Sequence, residues 1–387
     1  MNEIFNLEKL YSAYLDCRKR KRKTINALKF EWDLERNLFL LLDELESKKY
    51  KPGRSICFVV KEPTPREIFA SNFKDRVVHH LLVREIEKIG EKIFIFNAFS
   101  CRKGKGTHKA IEKLRKGIKK ASKNHTKEAY YAQLDIAGFF MSIDHDILYS
   151  LLKKLIRKEK KSLQWKKDIL WLAKTIIFYK PVNNYIIKGN PSLFSLIPPH
   201  KSLFRSGKFK GLPIGNYSSQ FFANLYLNEL DQFVKRTLKC KYYFRYVDDV
   251  VLLENNREIL EYYRDRIDIF LQKELDLKLN KGKTKIKLAV KGIDFLGYFV
   301  KLDHILVRKR VVGNLIFKLK RTKKNSFACK YFLLESLAMI NSYFGHFGHA
   351  NSFNLRKNIY RKKLGKLKEK VLPGTDYNYL KLREHDI

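Results

Sequence analysis

Phe244-Arg-Tyr-Val-Asp-Asp-Val-Val-Leu-Leu253 places two adjacent carboxylates, Asp248 and Asp249, between apolar flanks of strand character. Charges so placed cost free energy unless something pairs with them. Two acidic side chains at the tip of a hairpin between buried strands suit hard cations, which take oxygen ligands. Read alone, Asp-Asp in a loop is a solvated turn. A second stretch changes that reading. In Ala132-Gln-Leu-Asp-Ile-Ala-Gly-Phe-Phe-Met-Ser-Ile143, Asp135 ends an apolar strand and is followed by the bulky pair Phe139 and Phe140. Two strands delivering aspartates to one place give the geometry for two magnesium ions ~3.5–4 Å apart, clamping the attacking and leaving oxygens of an in-line phosphoryl displacement.

The rest of the composition supplies a partner for such chemistry. Among 387 residues, 81 Lys and Arg stand against 40 Asp and Glu, a net charge of +41. So basic a chain points to a polyanion, because Lys and Arg bind phosphate backbones by releasing condensed counterions. With 45% hydrophobic and 13% aromatic residues the chain can bury a substantial core, which excludes a disordered basic tail. Cys17, Cys57, Cys101, Cys240 and Cys329 are scattered, odd in number and without a C-x-x-C pair. That argues against a disulfide framework or a Cys-based zinc site. The first twenty residues lack an apolar signal core, and no run of ~18 apolar residues occurs, so a soluble cytoplasmic protein without a membrane partner is expected.

Residues 18–23, RKRKRK, read as a nucleic-acid-facing helix end. Leu28, Trp32, Leu34, Leu38, Leu41 and Leu45 predict one amphipathic helix over 26–47. A hairpin is expected over Ser55–Lys61 and Arg66–Ala70, then a helix over Asp75–Lys88. The loop Ser100–His108 carries Arg102, Lys103 and Lys105 among glycines, with Thr107 expected to cap a helix starting at His108. Amides at such a start attract phosphate. The Walker A pattern G-x-x-x-x-G-K-[ST] is absent, so nucleotide hydrolysis is not implied. Further expectations are a strand Tyr130–Ile136, helices from His145 and over Trp165–Phe178, and a long connection to Gly211. A helix Tyr217–Leu238, a strand-turn-strand around Val247–Asp249, a helix Glu258–Glu274 and paired strands over Lys285–Val300 follow. From Arg308 to Lys370 the pattern is helical and basic. An α+β domain with a small helical domain behind it accounts for this order.

These motifs resemble those of the reverse transcriptases. Tyr246-Val-Asp-Asp249 is similar to their Y-x-D-D box, and Leu134-Asp-Ile-Ala-Gly-Phe-Phe140 to their first aspartate motif. Gly211-Leu-Pro-Ile-Gly-Asn-Tyr-Ser-Ser-Gln-Phe-Phe-Ala-Asn224 resembles the motif between them. Leu279-Asn-Lys-Gly-Lys-Thr284 resembles the fourth palm motif and Phe295-Leu-Gly-Tyr298 the primer grip. Pro65–Ala70 and Asp75–His80 look like the fingers motifs of bacterial enzymes. The wording Ile214–Gln220, with Cys101–His108, Pro198–Phe204 and Asn341–Ala350, is most similar to the diversity-generating retroelement type. Some bacterial antiviral-defence enzymes share that core.

The resemblance implies an α+β right-hand polymerase with fingers over 1–125, a palm over 126–302 and a helical thumb over 303–387. Asp135, Asp248 and Asp249, with the Ile136 carbonyl, would bind two Mg2+, Mn2+ being a substitute ion. Arg66 would meet the incoming triphosphate and Arg76 assist it or brace the fold. Phe140 would be the steric gate selecting deoxynucleotides. Gly215 and Gln220 would lie under the templating pair and the incoming base, a motif associated in diversity-generating enzymes with misincorporation opposite template adenine. Lys283 would serve the pyrophosphate leaving group, Phe295, Leu296, Gly297 and Tyr298 would pin the primer, and Arg102, Lys103 and Lys105 would hold nucleic acid. The implied partners are a template RNA (a dedicated noncoding one), a DNA primer and product, deoxynucleoside triphosphates, and an accessory protein or second reverse transcriptase subunit. Two rival readings are a catalytically idle RNA-binding polymerase-like subunit of a ribonucleoprotein, and a defence enzyme making repetitive DNA with non-standard priming or templating.

Other candidates are set aside on the residues themselves. His346 and His349 are three apart on an expected helix, but no third zinc ligand is evident in the sequence, so packing or RNA contact is favoured. His79 and His80 point to different faces. Trp165 and Trp171 read as core or partner contact.

Overall fold

The computed structural model describes residues 2–19, 21–62, 64–322 and 330–383. In chain order its elements begin with helices α1 (Leu7–Arg18), α2 (Ile25–Glu31) and α3 (Leu34–Glu46). Strands β1 (Ser55–Val60) and β2 (Arg66–Ala70) lead to α4 (Phe73–Ile93) and α5 (Thr107–Ala121). After β3 (Tyr130–Leu134) come α6 (Phe139–Ser142), α7 (His145–Arg157), α8 (Leu163–Ile177), β4 (Tyr185–Ile187) and α9 (Tyr217–Gln232). Then follow β5 (Tyr242–Tyr246), β6 (Asp249–Glu254), α10 (Arg257–Leu275), β7 (Lys285–Leu288), β8 (Ile293–Phe295), β9 (Tyr298–Val300) and β10 (Ile305–Val307). The chain closes with α11 (Lys309–Thr322), α12 (Lys330–Phe347), α13 (Phe353–Lys362), α14 (Leu367–Lys370) and the strands β11 (Val371–Pro373) and β12 (Leu380–Leu382).

The chain divides into two compact units, each discontinuous in sequence. One comprises Met1–Cys101, Gln133–Val251 and Glu261–Lys285; the other comprises Arg102–Ala132, Leu252–Leu260 and Ile286–Ile387. The fold class is α+β, as expected. A four-stranded sheet of order β5-β6-β3-β7 carries the aspartate motifs, and a second sheet has the order β2-β1-β4.

In the first unit, α4 starts where the Asn72 side chain accepts the Asp75 amide at 2.9 Å, supplying one of the acceptors that a helix start lacks. Its apolar positions Phe73, Val77, Leu81, Ile86 and Ile89 are buried. The Asp144 carboxylate caps α7 by accepting the amides of Asp146 and Ile147, and Ser162 caps α8 through Trp165. The expected single helix over 26–47 is two helices. Asp33 leaves helical geometry at φ −131°, ψ 59°, and the Asn37 amide donates to the Phe30 carbonyl at 3.0 Å, answering an acceptor freed by the break. Trp32, counted on the apolar stripe, is 93% exposed, and Leu28 also faces solvent.

The connection before Gly211 contains an element that its sequence did not reveal. β4 adds in parallel to β1, pairing Ser55 with Tyr185. Two buried acceptors hold the neighbouring turns: Glu67 on β2 accepts the Ser202 hydroxyl at 2.9 Å and the Leu203 amide. Burial pushes the Glu67 carboxyl up despite those bonds. Past Gln232, α9 loosens into a π-helical turn, Phe233–Thr237, so the α-helix ends short of Leu238.

In the second unit β8, β9 and β10 form an antiparallel sheet. A core of Leu315, Leu319, Ile340, Phe344, Phe347, Ile359 and Leu364 joins α11, α12 and α13. The segment after Lys370, whose order the sequence leaves open, forms the β11–β12 hairpin through Leu382, and Val371 and Leu380 bury themselves in that core. Among the described residues Cys17, Cys57 and Cys240 are buried free thiols and Cys101 is an exposed one. Cys329, Arg20 of the basic run and the last four residues lie outside the described residues. No helix among the described residues is long and apolar enough to cross a membrane.

Candidate active site

β6 and β3 are neighbours in the four-stranded sheet. Asp135 directly follows β3, and Val247–Asp248 form the turn between β5 and β6, with Asp249 opening β6. Burial raises the Asp248 carboxyl above the usual aspartate range, and the negative charge of Asp135 raises it further. Arg66 and Lys283 pull the other way. Four of the expected site residues, from four separate stretches of the first unit, therefore share one electrostatic environment.

Asp135 is held on both its backbone and its side chain. The Asn280 amide donates to the Asp135 carbonyl at 2.7 Å, and its Nδ2 donates to Asp135 Oδ2 at 3.0 Å. Lys283 Nζ lies 3.5 Å from the same Oδ2. An isolated antiparallel bridge between Ile136 and Leu279 aligns the two segments. Asn280 was not singled out from the sequence, although it stands in the quoted Leu279–Thr284 stretch. Its role becomes visible only once the chain returns to the end of β3.

The remaining candidates of this unit divide by placement. Arg66 is exposed at the start of β2. Arg76 is partly buried, and its Nε donates to the Ser71 carbonyl at 2.8 Å. Burial lowers its guanidinium, and its hydrogen bond goes to the residue that directly follows β2. Phe140 is half-buried against a cluster of Cys57, Phe69, Met141 and Leu203. Gly215 and Gln220 are both exposed, on the approach to α9 and in its first turn. Gly215 has φ +125°, and a Cβ there would meet Ile68 Cγ2 at 2.9 Å and the Phe69 carbonyl at 3.0 Å. Only glycine combines that backbone with that approach.

In the second unit Phe295-Leu-Gly-Tyr298 is the tight turn between β8 and β9. Leu296 and Gly297 both have positive φ, the signature of a two-residue hairpin. Phe295 and Tyr298 are buried; Leu296 and Gly297 are partly buried, and a Cβ at Gly297 would lie 3.3 Å from the His346 ring. The Tyr298 hydroxyl donates to the His346 carbonyl at 2.8 Å and its ring stacks on His346. The expected helix after the basic loop begins at Thr107, with Gly106 in the capping position at φ +107°. Thr107 is thus the first helical residue and not the cap, because the chain enters the helix through a positive φ that glycine takes readily. Lys103 is exposed, and Arg102 and Lys105 are partly buried. His108, on α5, stacks its ring on His349 at 3.3 Å, a neighbour for the His346–His349 pair that the sequence did not expose. Burial and the other two histidines hold His108 below its ordinary value.

Among the described residues no group of three or more His, Cys, Asp or Glu is arranged to cage a metal ion. The donor chemistry of the aspartate site nevertheless suits a hard divalent cation. Its donors are hard oxygens, and the mutual repulsion of Asp135 and Asp248 is the field a cation relieves. Mg2+ is commonly held by one or two carboxylates plus substrate phosphates and water, without an all-protein cage.

Comparison with solved structures finds telomerase from Candida albicans in complex with a fragment of telomeric RNA. The identity is 12% and the TM-score 0.47, covering 84% of this chain and 60% of that one. Telomerase from Candida tropicalis in a like complex gives 12% and 0.44, covering 85% and 62%. Among curated proteins, Protein YkfC of Escherichia coli (strain K12) is 25% identical over 320 residues, 74% of this chain and 75% of that protein. An uncharacterized 91 kDa protein in the cob intron of Schizosaccharomyces pombe is 23% identical over 197 residues, 50% of this chain and 20% of its own length. Residues 59–300, which hold every aspartate of the site and the motifs around them, match the family described as reverse transcriptase (RNA-dependent DNA polymerase), and the chain belongs to that family.

Proposed function

We propose that this reverse transcriptase copies a dedicated RNA into DNA in the cytoplasm of a bacterium, within a diversity-generating or antiphage-defence system. The observation that carries the chemical part is the electrostatic convergence of Asp135, Asp248, Arg66 and Lys283 where β3 ends and β6 begins, the two central strands of the β5-β6-β3-β7 sheet. Two carboxylates with two cations around them are what a triphosphate, its metal ions and a primer hydroxyl need together. In this reading residues 1–125 are fingers, 126–302 palm and 303–387 thumb.

Asp135, Asp248 and Asp249, with the Ile136 carbonyl, hold two Mg2+, for which Mn2+ can stand in. Bound there, the ions supply charge stabilisation to the attacking and leaving oxygens of an in-line displacement. Arg66, exposed on β2 and felt by Asp248, takes the incoming triphosphate, and Lys283 moves from Asp135 to the departing pyrophosphate. Asn280 keeps Asp135 oriented throughout. Phe140 screens the sugar, Gly215 and Gln220 support the base pair, and Arg76 keeps β2 in place. The Leu296–Gly297 turn, between Phe295 and Tyr298, touches the primer, and Arg102, Lys103 and Lys105 hold the nucleic-acid backbone. An accessory protein or second subunit completes the ribonucleoprotein.

Primer extension with Mg2+ on the RNA that co-purifies with the protein tests this, with Asp248→Asn beside the parent. The parent is expected to make DNA complementary to that RNA. Asp248→Asn should lose about 10²–10³-fold or more in rate, the scale of deleting one electrostatic partner of developing charge. RNA affinity should be unchanged, because phosphate contacts come from cations elsewhere. RNA binding without DNA synthesis by either protein, even with candidate partners added, would favour the idle-subunit reading.

A further inference from the structure

Arg245 stands three residues before Asp248, and its guanidinium is 1% exposed against the 0% exposed carboxylate of Asp231. Nε donates to Asp231 Oδ1 at 2.7 Å and Nη2 to Oδ2 at 2.6 Å, a two-pronged match of fork to carboxylate. The Tyr243 hydroxyl donates to Oδ1 at 2.7 Å. The last nitrogen, Nη1, donates to Asn224 Oδ1 at 3.2 Å and to the Val247 carbonyl at 3.1 Å. Asn224 is itself tied down, its amide donating to the Ser100 carbonyl at 2.9 Å.

The Val247 contact is the informative one. Val247 has φ +53°, a region where a β-branched side chain crowds its own backbone. Such a conformation persists only where surrounding contacts over-determine it. Arg245 grips the carbonyl of this residue, and the next residue is Asp248. Asn224 and Asp231 lie seven residues, about two turns, apart on one face of α9, the helix that starts at Tyr217 just past Gly215 and Asn216. The turn bearing Asp248 is thus fastened, through one guanidinium, to the helix that follows the Gly215 loop.

A buried ion pair is weak evidence for stability, since apolar residues of similar volume frequently serve as well. What apolar residues do not reproduce is the hydrogen bond to Val247. We propose that Arg245, anchored by Asp231 and Asn224, is a positioning residue that holds the strained Val247–Asp248 turn in the form that accepts divalent metal. This rests on the polymerase-site reading above.

The experiment compares the full-length parent with Arg245→Met/Asp231→Leu/Tyr243→Phe, which removes the charges and the hydroxyl together, and with Asp248→Asn. Mn2+ binding to the protein is followed by electron paramagnetic resonance, fold by denaturant unfolding, and primer extension as a function of Mg2+ concentration. The triple variant should unfold near the parent midpoint, yet bind Mn2+ about 10–100-fold more weakly, the usual cost of losing an orienting partner behind a metal ligand. Its Mg2+ requirement for extension should rise by a similar factor. If the triple variant does not fold, Arg245→Lys carries the test, because a single ammonium keeps the charge but cannot span Asp231 and Val247 together. Parental Mn2+ affinity in a folded variant overturns the latch alone. A parent with no Mn2+ site sensitive to Asp248→Asn overturns the polymerase-site reading beneath it.

Discussion

Phe139 and Phe140 are adjacent in sequence and differ in task. Phe139 is 2% exposed and belongs to the core. Phe140 is half-buried, its ring edge-on to Phe139, at the margin of the Cys57–Phe69–Met141–Leu203 cluster beside Ile214. In the proposed reading this partly buried ring is the one that screens the sugar. Phe140→Ala is expected to raise ribonucleotide over deoxynucleotide incorporation by about 10–200-fold, the discrimination that a steric pocket provides. Competition assays with paired nucleotides read this directly, and unchanged sugar selection would make Phe140 a packing residue only. Both the ring and its neighbouring aspartate were legible because each motif is continuous in sequence. Asn280, Asp231 and Arg245 were not, because each acts on a partner that only the folded chain brings near.

Among the elements, β2, α4 and the start of α9 are joined by polar contacts that the sequence did not mark. His79 on α4 shares a hydrogen bond between Nδ1 and Ser218 Oγ at 2.7 Å, and its Nε2 lies 3.4 Å from Ser71 Oγ. Ser71 in turn donates to Asn216 Oδ1 at 2.8 Å. Burial drives the His79 imidazole from 6.5 to about 3, so the native state stays neutral while the unfolded chain takes up a proton below pH 6.5. The unfolded state binds more protons between those limits, and stability falls as pH drops through that window. Going from pH 7 to pH 5, His79 alone should cost about 2 kcal/mol. Denaturant unfolding at the two pH values should show a smaller loss for His79→Gln, leaving the part due to His80, which burial also lowers, to about 4. An unchanged pH slope in that variant would mean that His79 is solvated in the native state.

For the molecule as a whole the dominant quantity is the net charge of +41. Basic residues are spread along nearly the entire chain, so RNA should be held by many weak phosphate contacts. If six to ten phosphates are neutralised, affinity should fall by roughly 10³–10⁵ between 50 and 200 mM salt. Filter binding across that range checks it; a shallow dependence would mean that base stacking, not charge, holds the RNA. The same titration on Asp248→Asn should give the same slope, because that residue opposes phosphate and does not bind it.

Sequence alone determined the family-bearing motifs, their order, the α+β class and the candidate aspartates. Those signals are local: a carboxylate between apolar strand residues, a glycine-rich approach to a helix, a charge balance. Tertiary structure decided the rest. It split the helix expected over 26–47 at Asp33, because the chain turns there. It recruited β4 to β1, a pairing across some 130 positions that no short-range pattern encodes. It also set Asn280 on Asp135 and Arg245 on Asp231 and Asn224 of α9, since hydrogen bonds between separate elements depend on where the backbone returns and leave no periodic trace in the chain.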